Sequence, residues 1–456
     1  MHPNGTSCSY SNQNYMKNNI STIVDNQFIT PQYFNLNKVR NTTLRIIIGV
    51  LGIVYLGFEY FQDGDFFIYY HASKELFQLK NIYREFYGAC ECFPYFGSPT
   101  LALILGPFAV LPFFFAAFLW KGLNLFFLYR SWILLEKYFN LRGFTKNEYI
   151  TFVTASILSV SFVIYRNFHL GQFTIFLLYV ILEGIDQIRS EKKYLGSAII
   201  ALGIISKVMP IVALPYLFYR NYWKSAMMVI VFTVMFLFLP TVYLGWEQTL
   251  FLIKEWKTSI DPSNEMNIFD VSTNDIHGLA SLISTLFIPG IEDLHTLHIR
   301  RHIFILNKDT VEILIHSGRL ILIVGTIYFL RTWPFKKETN SLKQIWELGY
   351  ILLITPLVFP QQRLYAFYFL FPAVTYLVYS FIVIRRSNSN SCSISNLWFY
   401  IFIFGVLIFN LELIIGNFRQ FYWHYKTVTY SILLLLVVLT RMRPDIIANY
   451  STNKIG

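Results

Sequence analysis

Two carboxylates follow directly on the first long apolar run of the chain, in Phe61-Gln62-Asp63-Gly64-Asp65-Phe66. A carboxylate at the mouth of an apolar cavity is chemically useful, because desolvation raises its pKa toward the range where it can take a proton from an attacking hydroxyl. Asp65 is the candidate general base on that reasoning. Two other readings stand beside it. Asp is common just past a membrane span or at a helix start, where it caps backbone N–H groups. An Asp-x-Asp pair, here Asp63 and Asp65, can also hold Mg²⁺ or Mn²⁺ against a phosphate, although this spacing is frequent by chance.

Cations fall within or beside other apolar runs. Lys207 interrupts Ile205-Ser206-Lys207-Val208-Met209-Pro210. Glu312, His316 and Arg319 lie at i, i+4 and i+7 and so share one helix face. Arg363 follows the run that ends near Pro360. Charges inside a membrane are costly and mark either a site or an internal pairing. A Glu312–Arg319 pair would serve the second purpose, and Arg363 could snorkel to the interface. Together these groups offer an anion site suited to a phosphate. His295, His298 and His302 are at helical spacing near Asp293. They could ligate a metal, but a solvated helix face accounts for them more simply.

The elements that must position these residues follow from composition. The 456 residues are 55% hydrophobic, 19% aromatic and only 14% charged. That is too little charge to coat the surfaces of a soluble chain of this length, so lipid must solvate most of it. A net charge of +11 would suggest nucleic acid in a soluble protein. Here the basic residues cluster between apolar runs, the pattern of cytoplasmic membrane loops, which argues against nucleic-acid binding. The 45 Phe and 31 Tyr suit apolar interiors and membrane–water interfaces.

A span needs about 20 mainly apolar residues. Candidate spans are 44–61, 95–111, 112–135, 148–165, 171–188, 195–218, 225–244, 311–331, 344–360, 364–384, 396–415 and 427–440. The fold class is therefore an all-α polytopic membrane protein with about twelve transmembrane helices. Pro107 and Pro112 predict a tight hinge between the second and third spans. Basic residues before span one (Lys38, Arg40, Arg45) and after spans eight (Arg331, Lys336, Lys337), ten (Arg385, Arg386) and twelve (Arg441, Arg443) place both termini in the cytoplasm. The clusters Lys137, Arg142, Lys146 and Arg189, Lys192, Lys193 disagree with that count, which puts them outside.

Residues 1–41 read as a polar, Asn-rich cytoplasmic tail, 42–444 as one transmembrane domain, and 445–456 as a second cytoplasmic tail. Two long external loops result, 62–94 and 245–310. The first is partly helical and amphipathic. The second holds an apolar run, 276–288, too short to span, which lies in the interface or re-enters. The four cysteines are Cys8, Cys90, Cys92 and Cys392; Cys90 and Cys92 are too close for an unstrained bridge and too few for structural zinc, and read as two structural thiols or a fortuitous pair.

In order and spacing, several segments resemble glycosyltransferase family 87. They are Asp65-Phe66-Phe67-Ile68-Tyr69-Tyr70-His71-Ala72, Asn81-Ile82-Tyr83, Tyr95-Phe96-Gly97-Ser98-Pro99, Leu111-Pro112 with Trp120 and Asn124, Gly171-Gln172, Lys207 with Pro210, and Pro356 before Gln361-Gln362-Arg363-Leu364-Tyr365. The resemblance runs from about 44 to about 380. It implies a C-type glycosyltransferase fold and α-mannosyl transfer from a polyprenyl-phosphate donor to a glycan or glycolipid, with no cofactor. It also implies an Asp in the first external loop as catalytic base. That role maps onto Asp65 and leaves Asp63 without a counterpart, which argues against a metal. Arg363, Arg319, His316 and Lys207 are the expected partners of the donor phosphate; Tyr69, Tyr70, Gln172 and Gln362 are the expected substrate contacts. One departure is that family members often carry His near the donor phosphate where this chain has Gln362 and Arg363. Arg can meet a phosphate bidentately, and mannose is the family default rather than something these residues set. The expected location is the cell membrane, with the site on the external face.

A flippase or transporter of lipid-linked glycans would share many spans and buried cations. The two asymmetric external loops and the absence of a visible repeat tell against it. An O-antigen-type polymerase would place its charges in a large, late external loop.

Overall fold

The computed structural model describes residues 64–88, 93–261, 264–269, 275–289, 297, 299–330, 334–386 and 393–447, with Thr42, Ile46, Gly49 and Val50. Span 44–61, Asp63, the four cysteines, His295 and His298 lie largely or wholly outside them.

The described chain is almost entirely helical. Helix α1 (Asp65–Phe77) opens it, followed by a two-residue antiparallel ribbon pairing Phe86–Tyr87 with Phe93–Pro94. Two short helices come next, α2 (Pro99–Ile104) and α3 (Gly106–Ala109), and then α4 (Phe113–Glu136). Ser98 caps α2, its hydroxyl accepting from the Leu101 N–H at 3.0 Å, with Pro99 in the first turn where no N–H is needed. Pro107 and Pro112 end what would otherwise have been one helix.

The expected span 95–111 is therefore corrected. Helices of six and four residues rise about 9 and 6 Å, against a hydrocarbon core of about 30 Å. Both stay beside α1: the Ser73 hydroxyl donates to the Ala102 carbonyl (2.7 Å) and the Tyr70 hydroxyl to that of Leu111 (2.8 Å).

The chain continues through α5 (Lys146–Leu158), α6 (Ser161–Leu170), α7 (Thr174–Arg189) and α8 (Lys193–Ser206), then a 3-10 turn (Met209–Val212), α9 (Ala213–Tyr219), α10 (Trp223–Leu237) and α11 (Thr241–Leu244). The expected span 195–218 is broken at Lys207, which has extended backbone (φ −150°, ψ 140°). Pro210, three residues on, cannot continue the α8 ladder. Segment 245–310, expected as the second external loop, contains α12 (Trp246–Ser259), α13 (Glu265–Phe269) and α14 (Leu279–Phe287). The rest comprises α15 (Lys308–Leu330), α16 (Ser341–Val358), a 3-10 helix (Leu364–Leu370) running into α17 (Phe371–Arg386), α18 (Ser393–Asn410), α19 (Arg419–His424) and α20 (Thr427–Arg441).

By length and composition, four described helices can cross a membrane: Trp223–Leu244, Lys308–Tyr328, Leu364–Arg386 and Asn396–Leu413. Two more qualify if bent pairs are single spans, Lys146–Leu158 with Ser161–Leu170 (52°) and Gly416–His424 with Thr427–Arg441 (72°). Other long helices carry charges that pair inside the bundle. Arg130 of α4 bonds Glu183 of α7 at 2.9 Å, and Arg220 reaches Glu347 of α16 at 2.7 Å with both side chains almost wholly buried.

The basic connections contact one another at one end of the bundle. Lys137 meets Asp186 (2.7 Å), Arg189 lies over the Tyr138 ring (5.0 Å), and Lys337 meets Glu191 (3.7 Å) and Tyr222. Arg386 approaches Glu148 (4.0 Å), and the Phe335 N–H donates to the Tyr219 carbonyl (2.7 Å). The two clusters that disagreed with the expected count thus sit with those that agreed. With 95–111 removed as a crossing, α4 runs from the α1 end to this basic end.

Candidate active site

The site assembles where the start of α1 meets the end of α6. Helix α6 stops at Gly171, whose φ of +64° is a left-handed conformation costly for other residues. There is no room either, since a Cβ at Gly171 would stand 2.7 Å from that of Phe66. The close approach places Gln172 against Asp65, and the Gln172 amide donates to the Asp65 carboxylate. Trp120 fixes the same corner. Its indole N–H donates to the Gly171 carbonyl (2.7 Å), and its ring stacks on Phe66 and tilts against Phe173.

Lys207 reaches this point from the break between α8 and the 3-10 turn. Its ammonium donates to the Gln172 side-chain carbonyl (3.3 Å) and lies over the Tyr365 ring (5.1 Å). Gln172 thus bridges carboxylate and cation, donating to one and accepting from the other. Arg363 comes from the turn after α16. An isolated antiparallel bridge between Ile276 and Arg363, and the His277 N–H donating to the Gln362 carbonyl (2.9 Å), hold that turn. The Asn167 amide of α6 donates to the Tyr365 carbonyl (2.9 Å).

Burial pushes the Asp65 carboxyl above the usual carboxylate range. Arg363 and Lys207 pull it down, Asp275 pushes it up, and Arg166 pulls it down. Tyr69 is buried edge-on to Phe173 at 4.7 Å, and burial raises its hydroxyl pKa, so it faces Asp65 as a neutral group.

The structure sorts the expected site residues. Asp65, Gln172, Lys207, Arg363 and Tyr69 come together. Gln172, expected as a substrate contact, is buried and donates its amide to the Asp65 carboxylate. Tyr70, also expected as a substrate contact, spends its hydroxyl on the Leu111 carbonyl. Gln362 donates its amide to Pro360 O (2.6 Å) and shapes the turn. His316 turns outward on α15, 3.5 Å from Glu312 with more than half its side chain exposed. Arg319, one turn on, is half-buried. The strongest charges acting on Asp65 come from other elements. Arg166 and Asp275, 3.2 Å apart, were not singled out from sequence. They lie more than a hundred residues apart and no local pattern joins them. Among the described residues, no group of three or more His, Cys, Asp or Glu could hold a metal ion.

The helical bundle thus gathers a carboxylate bonded to Gln172, the Lys207 ammonium on the same side chain, and the charge of Arg363. The family model described as Glycosyltransferase family 87 matches residues 95–342, more than half of the chain. The chain belongs to glycosyltransferase family 87 and is a membrane glycosyltransferase. The matched segment includes Gln172, Lys207 and Asp275; Asp65 precedes it and Arg363 follows it. No curated protein matches the chain.

Proposed function

We propose that this enzyme moves a sugar, mannose by family default, from a polyprenyl-phosphate donor to a hydroxyl of a glycan or glycolipid on the external face of the cell membrane. One observation carries the reading: the Asp65 carboxylate is held by the Gln172 amide, whose carbonyl accepts from the Lys207 ammonium, and the Arg363 charge acts on the same carboxylate. The acceptor oxygen attacks the anomeric carbon while its proton passes to Asp65. The bond from that carbon to the phosphate oxygen breaks, and the electron pair leaves on the lipid phosphate. The sugar inverts. Arg363 and Lys207 stabilise the charge that develops on the leaving group. A guanidinium and an ammonium are adequate partners for a monophosphate, so the mechanism uses neither metal nor cofactor. His316 and Arg319 lie on α15, which is largely uncovered by protein, and would meet the donor as it arrives from the bilayer.

Topology is part of the same reading. The run 95–111 is dropped as a crossing and 195–218 counts twice, once on each side of Lys207, so about twelve passages remain. Each basic cluster used to orient the spans then falls at the cytoplasmic end, both termini with it, and Asp65 at the opposite end.

The test is transfer by purified protein in liposomes, with radiolabelled polyprenyl-phosphate-mannose and membrane glycolipid acceptors. Wild type is expected to transfer label with or without EDTA, and folded Asp65→Asn to lose it. Full activity in Asp65→Asn would remove Asp65 as the base. Lipid movement across the bilayer without sugar transfer from any donor would favour a flippase.

A further inference from the structure

We propose that Asp275 is a positioning residue for this site: with Arg166 it fixes the turn that carries Arg363 and sets the charge balance around Asp65. The inference rests on the function proposed above. Segment 275–277 joins the 362–363 turn through the main chain twice, by the Ile276–Arg363 bridge and by the His277 N–H to the Gln362 carbonyl (2.9 Å). The Thr429 hydroxyl donates to the His277 carbonyl (3.0 Å), which anchors the segment to α20.

The side chain of Asp275 adds a third tie, to a different helix. Its carboxylate lies 3.2 Å from the Arg166 guanidinium, with 24% and 19% of the two side chains exposed. Arg166 stands on α6, five residues before the Gly171 stop that presents Gln172 to Asp65. It is itself restrained, by Glu412 at 3.8 Å and by the rings of Trp423 (5.8 Å) and Phe162 (5.9 Å). Asp275 therefore joins the helix that orients the base to the turn that carries the phosphate partner. An exposed ion pair would contribute little; this one is mostly enclosed and sits between the two working parts.

Asp275 and Arg166 also act on Asp65 at a distance and in opposite directions. The groups that bear on Asp65 are Arg363, Lys207, Asp275 and Arg166, with Gln172 bonded to it and Tyr69 and Tyr365 facing it. The Asp275 charge pushes the Asp65 carboxyl up and the Arg166 charge pulls it down. Asp65 must be ionised to act as base, so removing Asp275's charge should move the acid limb of the rate profile to lower pH. Removing Arg166's charge should move it to higher pH.

The experiment measures kcat and donor KM against pH for full-length protein in liposomes. It compares wild type, Asp275→Asn, Asp275→Glu and Arg166→Gln, with a melting curve of each in detergent. Asp275→Asn is expected to lose roughly ten- to a hundredfold in kcat through misplacement of Arg363, with a smaller change in donor KM. The acid limb should move down in Asp275→Asn, up in Arg166→Gln, and return toward wild type in Asp275→Glu. Limbs that stay put, or move the same way in both variants, overturn the proposal even if rates fall. If Asp275→Asn does not fold, Arg166→Gln decides alone: an upward limb supports the assignment and an unmoved one overturns it. A wild type that transfers no sugar from any polyprenyl-phosphate donor overturns the underlying function, and the positioning role with it.

Discussion

Asp65 has a raised carboxyl because the cost of burying its charge exceeds what the neighbouring cations return. The sign of the pH dependence follows. As the proposed base, Asp65 would work only when ionised, so kcat/KM should fall as pH drops through that raised value, on a limb above the ordinary carboxylate range. A limb at or below the free-carboxylate value of about 3.9 would contradict the assignment. Asp65→Asn should lower kcat about 10²- to 10⁴-fold while leaving the melting curve near wild type. Tyr70 offers a contrast. Its hydroxyl donates to the Leu111 carbonyl, so Tyr70→Phe should cost about 0.5–1.5 kcal/mol of stability, read as a lowered melting midpoint, and spare donor KM. A large rise in KM would point to Tyr70 as a substrate contact.

At the scale of elements, the site depends on ends and breaks in helices. Helix α6 must stop where it does, in a conformation suited to glycine and against a wall formed by Phe66. Gly171→Ala should therefore destabilise the protein by about 1–3 kcal/mol and depress activity further, because Gln172 would be displaced from Asp65. Unaltered melting and activity would show that the corner tolerates a Cβ. At the far end of the bundle, Arg220 and Glu347 form a buried pair, with Arg220 also donating to the Lys336 carbonyl (3.2 Å). Removing one partner leaves the other charge buried, at a cost of about 3–5 kcal/mol. Arg220→Met should unfold readily in detergent, and the double change Arg220→Met with Glu347→Leu should recover most of the melting midpoint. No recovery would mean that Arg220 acts chiefly through the carbonyl it caps.

For the whole molecule, the ends of the bundle differ in charge and in task. The basic connections gather at one end, and the Asp65 site lies at the other. In a background without native cysteines, Glu191→Cys should react with an impermeant thiol reagent only from the cytoplasmic side, and Lys254→Cys only from outside. Labelling of both from one side would break the twelve-passage arrangement.

Composition alone fixed the solvent: a chain with 14% charged residues cannot cover itself in water. Apolar runs of span length then gave several helices nearly to the residue. The expected 112–135 is the helix Phe113–Glu136, and 427–440 is Thr427–Arg441. Run length failed at 95–111, at 148–165, which is bent by 52° between Leu158 and Ser161, and at 195–218, because hydropathy does not register a local break. Pro107, Pro112 and Pro210 supplied that signal at the first and the last, and where the broken pieces went was settled by contacts such as Ser73 to Ala102 and Phe335 to Tyr219. Asp65, Lys207 and Arg363 could be picked out singly, since a charge beside an apolar run is costly wherever it stands. Their meeting, the turning of Gln172 onto Asp65, and the pairing of Arg166 with Asp275 beside them were decided by the tertiary structure. Each of those contacts joins residues from different helices, and sequence spacing carries no information about which helix ends come to share a corner.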